Sequence, residues 1–147
     1  MKTALKILII ISIFLIANSC KKDEKVNSIL LSTWEAKSFI SLESVAYPKN
    51  ENTPILLTFK KDGTYSLKLD RNSCGGTFSA NKTNQIEIEF PACTEACCDS
   101  QFSNKLATML PQVASYSIEG TILKLNVPRW GYIECEIFNS SLINPNP

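Results

Sequence analysis

The sequence contains no histidine. That absence removes Ser-His-Asp and Cys-His catalysis, HExxH zinc sites and imidazole switching near neutral pH. An excess of one charge is missing too: 15 Lys plus Arg stand against 14 Asp plus Glu. Without a basic face to neutralise phosphates there is no electrostatic case for nucleic acid as a partner. The CxxC pairs of zinc ribbons and the GxxxxGK[ST] phosphate loop are absent. Cys74-Gly75-Gly76, the nearest approach to a phosphate cradle, does not open a helix. Two glycines there suit a bulge or a close backbone approach entering the next strand. No internal repeat or low-complexity block is evident. What remains is 147 residues, 44% of them hydrophobic, a length and composition suited to one globular domain.

The first nineteen residues read as a segment outside the fold. Lys2 and Lys6 form a short basic region, Ile7 to Ala17 is apolar apart from Ser12, and Ala17-Asn18-Ser19 leads to Cys20. This is the order of a secretory signal. A membrane span needs roughly 20 apolar residues, and charged residues begin already at Lys21. A Cys at this place resembles the bacterial lipoprotein signal, in which the thiol is acylated and the chain is cut just before it. Each buried methylene of an acyl chain contributes about 0.8 kcal/mol, so two or three chains hold a protein on a membrane. Lys21-Lys22-Asp23-Glu24-Lys25 is a solvated tether. It also resembles the charged tag that directs Bacteroidetes-type lipoproteins to the outer face of the outer membrane; the periplasmic face is the alternative. Loss of residues 1–19 removes Lys2 and Lys6, leaving 13 basic and 14 acidic side chains, net −1. The expected divisions are a signal at 1–19, a lipidated Cys and tether at 20–29, a domain at 30–138 and a flexible tail at 139–147.

From Leu30 onward the dominant pattern has period two, which places alternate side chains on opposite sheet faces. Trp34 to Leu42 reads as a first strand. Ile55–Phe59 and Tyr65–Leu69 flank Lys61-Asp62-Gly63, and Asp-Gly between two such runs is a strong hairpin signal, because glycine takes positive φ without a Cβ penalty. Thr77–Ala80 and Ile86–Phe90 make a further pair, with Glu87 and Glu89 facing water and Pro91 ending it by withholding an N–H. From Ser100 to Val113 the period changes. Phe102, Leu106, Met109, Leu110 and Val113 follow the spacing of an amphipathic helix, capped by Asp99 or Ser100 and ending near Leu110 ahead of Pro111. Strands resume at Ala114–Ile118, Leu123–Val127 and from Gly131, where Ile133, Cys135 and Ile137 share one face. About eight strands and one helix make an α+β, mainly β, barrel-like domain.

Few residues are placed for chemistry. Glu87 with Glu89, and Glu134 with Glu136, are i, i+2 pairs typical of the solvated face of a half-buried sheet. A glycosidase acid/base pair also needs one carboxylate in an apolar pocket, which nothing here indicates. Trp34, Trp130 and Tyr132 are the candidates for an aromatic ligand surface; the plainer reading makes Trp34 core and Trp130 a turn residue over a barrel rim. Besides Cys20 there are Cys74, Cys93, Cys97, Cys98 and Cys135. A signal sequence points to an oxidising compartment and therefore to disulfides rather than zinc. Five cysteines leave one over, and Cys135, on the apolar face of its strand, is the natural orphan. The other four allow three connectivities.

The order of these features resembles the META domain, the HslJ-like group of bacterial envelope proteins. The resemblance covers about Leu30 to Phe138. It rests on Trp34, the Phe59/Asp62-Gly63 hairpin, Asn72-Ser73-Cys74-Gly75-Gly76-Thr77-Phe78, Thr94-Glu95-Ala96-Cys97-Cys98, the helix to Leu110, and Tyr116 to Leu125. The family's usual Gly-Cys-Asn order is not kept: Asn72 precedes Cys74 and Gly75 follows it. Cys93 and Cys97 are also outside the basic pattern. The resemblance implies a curved antiparallel sheet or half-barrel of about eight strands with one packed helix. It implies no catalytic residues, and an association with envelope stress, drug tolerance, motility and secretion. It also implies a Cys74–Cys98 disulfide, leaving Cys93–Cys97. Cys74–Cys97 with Cys93–Cys98 stays open, and either pairing would tie the Gly75-Gly76 region to the start of the helix.

The expected function is a non-enzymatic envelope lipoprotein, without cofactor or metal, joined to the membrane through Cys20 and binding a protein, peptide or surface polymer. The alternatives are a thiol-redox protein using Cys97 or Cys98 just ahead of a helix N-terminus, and a purely structural or inhibitor-like lipoprotein.

Overall fold

The computed structural model describes residues 27–139. The expected signal segment, the lipidated Cys20, the tether as far as residue 26 and the tail from residue 140 lie outside the described residues. The strands are β1 (Thr33–Ser41), β2 (Leu56–Phe59), β3 (Thr64–Lys68), β4 (Ser73–Ala80), β5 (Ile86–Ile88), β6 (Ala92–Cys93), β7 (Ser115–Glu119), β8 (Ile122–Val127) and β9 (Gly131–Ile137). Helix α1 (Gln101–Met109) and a 3-10 turn at Leu110–Gln112 lie between β6 and β7.

Eight strands form one antiparallel path in the order β5-β4-β3-β2-β1-β9-β8-β7. The two ends of that path meet. Gln85 bridges Ser115, the Ile86 N–H donates to the Ala114 carbonyl at 3.2 Å, and the Tyr116 N–H donates to the Asn84 carbonyl at 2.9 Å. The expected curved sheet of about eight strands with one packed helix is therefore present, and it goes further than a half-barrel, to near closure. Strand β4 starts at Ser73, so Cys74-Gly75-Gly76 lies within a strand. Its far end, Phe78–Ala80, pairs with β5, while Cys74–Gly75 pairs with β6 on the other side of Pro91.

The local reasons are ordinary ones. Gly63, at φ +80°, turns the β2–β3 hairpin, and the Asp62 carboxylate accepts the Thr64 N–H at 2.9 Å. Ser100 caps α1 by accepting the Ser103 N–H at 3.2 Å. Pro111 stops the α-helix but fits the first turn of the 3-10 segment, where its missing N–H has no partner to lose. Phe102, Leu106, Met109, Leu110 and Val113 are all buried. Each such side chain contributes about 1.5–3 kcal/mol on burial. Inside the barrel Trp34, Phe59, Tyr65, Leu67, Leu125 and Ile133 fill the space, so the interior is a packed core and not a ligand cavity.

One irregularity in β1 decides what the surface shows. Its register against β9 shifts between Ala36 and Ser38. Strict alternation from the buried Trp34 and Ala36 would carry Ile40 and Leu42 inward. The extra residue reverses the phase. Phe39 turns toward the core opposite Ile133, and Ile40, paired with Tyr132, comes out to 44% exposure.

Candidate functional site

The cysteines pair differently from the arrangement the resemblance implied. Cys74 in β4 and Cys93 in β6 are cross-strand partners with Cα atoms 4.0 Å apart, and they form one disulfide. Cys97 and Cys98, both exposed, have their sulfur atoms side by side. Cys74–Cys98 is thus replaced, and so are Cys93–Cys97 and the open alternative. The cause is β6. A two-residue strand leaves no periodicity to read, yet it seats Cys93 directly opposite Cys74. Among the described residues Cys135 is the unpaired cysteine, fully buried on β9. Among the described residues, no group of three or more His, Cys, Asp or Glu could hold a metal ion.

The expected tie between the start of β4 and the helix exists, but hydrogen bonds make it. Asn72 Oδ1 accepts from Thr94 Oγ1 at 2.8 Å and from the Ala96 N–H at 2.7 Å. Its Nδ2 donates to the Ala96 carbonyl at 2.7 Å and to Asp99 Oδ2 at 2.6 Å. Four partners are the full capacity of an amide side chain. Next to it, Asp70 Oδ2 accepts from the Ser100 N–H at 2.9 Å, from Ser100 Oγ at 2.6 Å and from Ser103 Oγ. Burial raises the Asp70 pKa, but the Ser100 and Ser103 hydrogen bonds outweigh it and hold the carboxyl below its ordinary 3.8. Sequence reasoning missed Asp70 altogether. Its partners lie some thirty residues away, and nothing in Asp70-Arg71-Asn72 beyond turn-forming composition announces them.

At the end of the barrel bearing α1, the long connection from Leu42 to Ile55 is pinned down at several points. The Leu42 N–H donates to the Trp130 carbonyl at 3.3 Å, and the Phe102 N–H donates to the Pro48 carbonyl at 3.2 Å. Lys49 Nζ donates to the Ala36 carbonyl at 2.8 Å and pairs with Glu35 at 3.3 Å. The Tyr47 ring stands edge-on to Phe39 at 5.5 Å between centroids, and Phe39 in turn meets Phe102 at 4.5 Å and Trp130 at 5.9 Å. Lys105 Nζ lies 4.9 Å from the Tyr47 ring centre and 5.0 Å from that of Trp130. Glu43 completes the group, 3.7 Å from Lys105 Nζ and accepting from the Tyr47 hydroxyl at 3.2 Å. The Trp130 indole N–H, then Lys105 and Tyr47, hold the Glu43 carboxyl below its ordinary 4.5. The Trp130 Nε1 is buried and has no formed hydrogen bond among the described residues.

The three candidate aromatics part company here. Trp130, half-buried on the β8–β9 turn, packs over the rim, whereas Tyr132 points outward beside Ile40 with Lys124 Nζ 5.8 Å from its ring. Gly131 between them allows the crossing. A Cβ there would meet the Ile40 carbonyl oxygen at 2.0 Å. Trp34 is core, 0% exposed. Three aliphatic side chains on the end of β1 and the loop after it are exposed: Leu42 at 91%, Val45 at 58% and Ile40 at 44%. A groove of about 200 Å³ runs beside Val45, walled by Phe39, Tyr47, Lys49 and Phe102. Exposed aliphatic groups on a braced loop suit contact with another molecule, and no nucleophile–base pair is assembled among them. Two further hollows, of about 360 and 400 Å³, lie at the β4–β5 hairpin and beside the end of β9.

A nearly closed antiparallel barrel, crossed at one end by a short helix and a braced loop, is the class of structure these features define. The chain belongs to the META domain family, whose model matches residues 27–129. In fold it is similar to the crystal structure of a DUF4847 family protein from Bacteroides vulgatus, with a TM-score of 0.56 and 18% identity, over 74% of this chain and 93% of that one. No curated protein matches the sequence.

Proposed function

We propose that this chain is a non-enzymatic module of the bacterial cell envelope, lipid-anchored at an outer membrane through Cys20 and facing outward. It binds a protein, peptide or surface polymer in envelope stress or secretion. The observation that carries this reading is the exposure of Ile40 in β1 and of Leu42 and Val45 in the loop that follows it. That end of β1 is remote from Asn27, the first described residue. Asn27 and Leu30 sit beside the start of β1, where the Phe59 N–H bonds the Ser32 carbonyl, and the exposed loop leaves its other end. Nine strand residues at about 3.3 Å each separate the two by roughly 30 Å. A lipid at Cys20 would hold the opposite end to the membrane and leave the loop free for a partner.

Two experiments test this. A photo-crosslinking residue replacing Val45 in the full-length protein on intact cells is expected to give adducts that the same residue at Glu87, exposed on β5, does not. Equal or absent adducts at Val45 would refute the binding surface. Cys20→Ala is expected to leave the membrane fraction; a variant still cleaved and membrane-bound would refute the anchor.

A further inference from the structure

We infer that the segment Ser44–Tyr47 is a docking edge for an extended polypeptide stretch of a partner protein, an assignment that rests on the binding-module reading above. Ser44, Val45, Ala46 and Tyr47 belong to no helix, strand or turn, and among the described residues their backbone N–H and C=O groups have no hydrogen-bond partner. Exposed main-chain donors and acceptors in a row are what a partner strand pairs with, while alternate side chains supply selectivity. Within the segment the exposed large side chain is aliphatic, Val45, and exposed Leu42 lies two residues before it.

The aromatic groups beneath argue against a sugar polymer. A sugar ring recognised by aromatics needs an open ring face to stack on. Lys105 already covers Tyr47 and Trp130, and Lys49 lies 5.5 Å from the Phe102 ring centre. What is left open is main chain, two aliphatic groups and the groove beside Val45, which has room for a side chain of the incoming stretch. The loop is also held on both sides of the segment, at Leu42 by the Trp130 carbonyl and at Pro48 by the Phe102 N–H. Such bracing reduces the ordering cost of binding.

The test uses the mature lipidated protein in detergent and a phage-displayed library of random twelve-residue peptides, with selected peptides then titrated by fluorescence anisotropy. Peptides with alternating apolar residues are expected to be enriched. Val45→Ser and, separately, Ala46→Pro should each weaken their binding at least tenfold. The first removes the aliphatic contact; the second removes a backbone N–H, while its ring also fixes φ at 46 and restricts Val45. Phe90→Ser, exposed away from the loop, should leave binding unchanged, and matched thermal melts would establish that all three variants are folded. No enrichment, or binding that survives both loop substitutions, overturns the inference. A polysaccharide adduct at Val45 on cells together with a failed peptide selection would refute the peptide assignment and leave the binding-module reading standing. Absence of any adduct would refute both.

Discussion

The ring of Tyr65 lies across Gly76, its partner on the neighbouring strand. A Cβ at position 76 would stand 2.8 Å from Tyr65 Cε1 and 3.0 Å from its hydroxyl oxygen. The ring is aimed by its hydroxyl, which donates to the Glu89 carbonyl at 2.8 Å. Burial, and then the Glu89 charge, push that phenol up to about 12.

Gly76→Ala should therefore destabilise the domain by about 1–3 kcal/mol, the usual cost of forcing a packed side chain aside. Tyr65→Leu should recover part of that loss when combined with it. A double-mutant cycle by denaturant titration measures the coupling; strictly additive effects would show that the ring does not depend on the missing Cβ.

Cys74–Cys93 closes a loop of 19 residues. In the chain-entropy model that stabilises the fold by about 3 kcal/mol. Cys93→Ser should lower the melting temperature accordingly. A non-reducing peptide map should recover Cys74 linked to Cys93; a Cys74–Cys98 peptide would show the strand pairing at β6 to be wrong.

Asp70 gives a pH dependence. Its folded pKa lies below the value of about 3.9 expected in the unfolded chain. Its contribution to stability is then fully present above about pH 4 and lost as pH falls through the folded pKa. Asp70→Ala should cost on the order of 1–3 kcal/mol at neutral pH by stripping the Ser100 and Ser103 donors of their acceptor. The gap between wild type and variant should narrow below about pH 4 in acid titrations of thermal stability. A constant gap would assign the loss to packing alone.

Cys135 should be inert. Burial, and then the Glu134 charge, push its thiol from 9.0 up to about 12. In a Cys20→Ser variant, iodoacetamide at pH 8 should leave the Cys135 peptide unmodified until denaturant unfolds the chain, and label it then. Because the folded pKa is raised, the associated stability is intact below about pH 9 and declines as pH climbs toward 12. Fast native labelling would mean that the β9 face opens.

Features set by neighbours along the chain were legible in the sequence. Asp62-Gly63 specifies a hairpin because only the local backbone has to turn, and the spacing of Phe102, Leu106, Met109 and Leu110 specifies a helix because its period is a property of consecutive residues. The candidate site was legible only in part. Trp130 was read correctly as a rim residue, but Leu42 and Val45 drew no attention, since isolated aliphatic residues in a polar stretch carry no pattern.

The amino-acid sequence by itself determined the mainly β class, the single helix with its Ser100 cap, the buried and unpaired Cys135 and the kind of chemistry that is missing without histidine. Only the tertiary structure decided the phase of β1 after Ala36, the Cys74–Cys93 pairing and the lock formed by Asp70 and Asn72. Each of those depends on which distant backbone lies alongside. A one-residue shift against β9 costs nothing in local propensity, yet it moves Ile40 from core to surface. A two-residue strand has no period, yet it places two sulfur atoms face to face. Register between strands far apart in the chain is settled by the closing of the whole barrel.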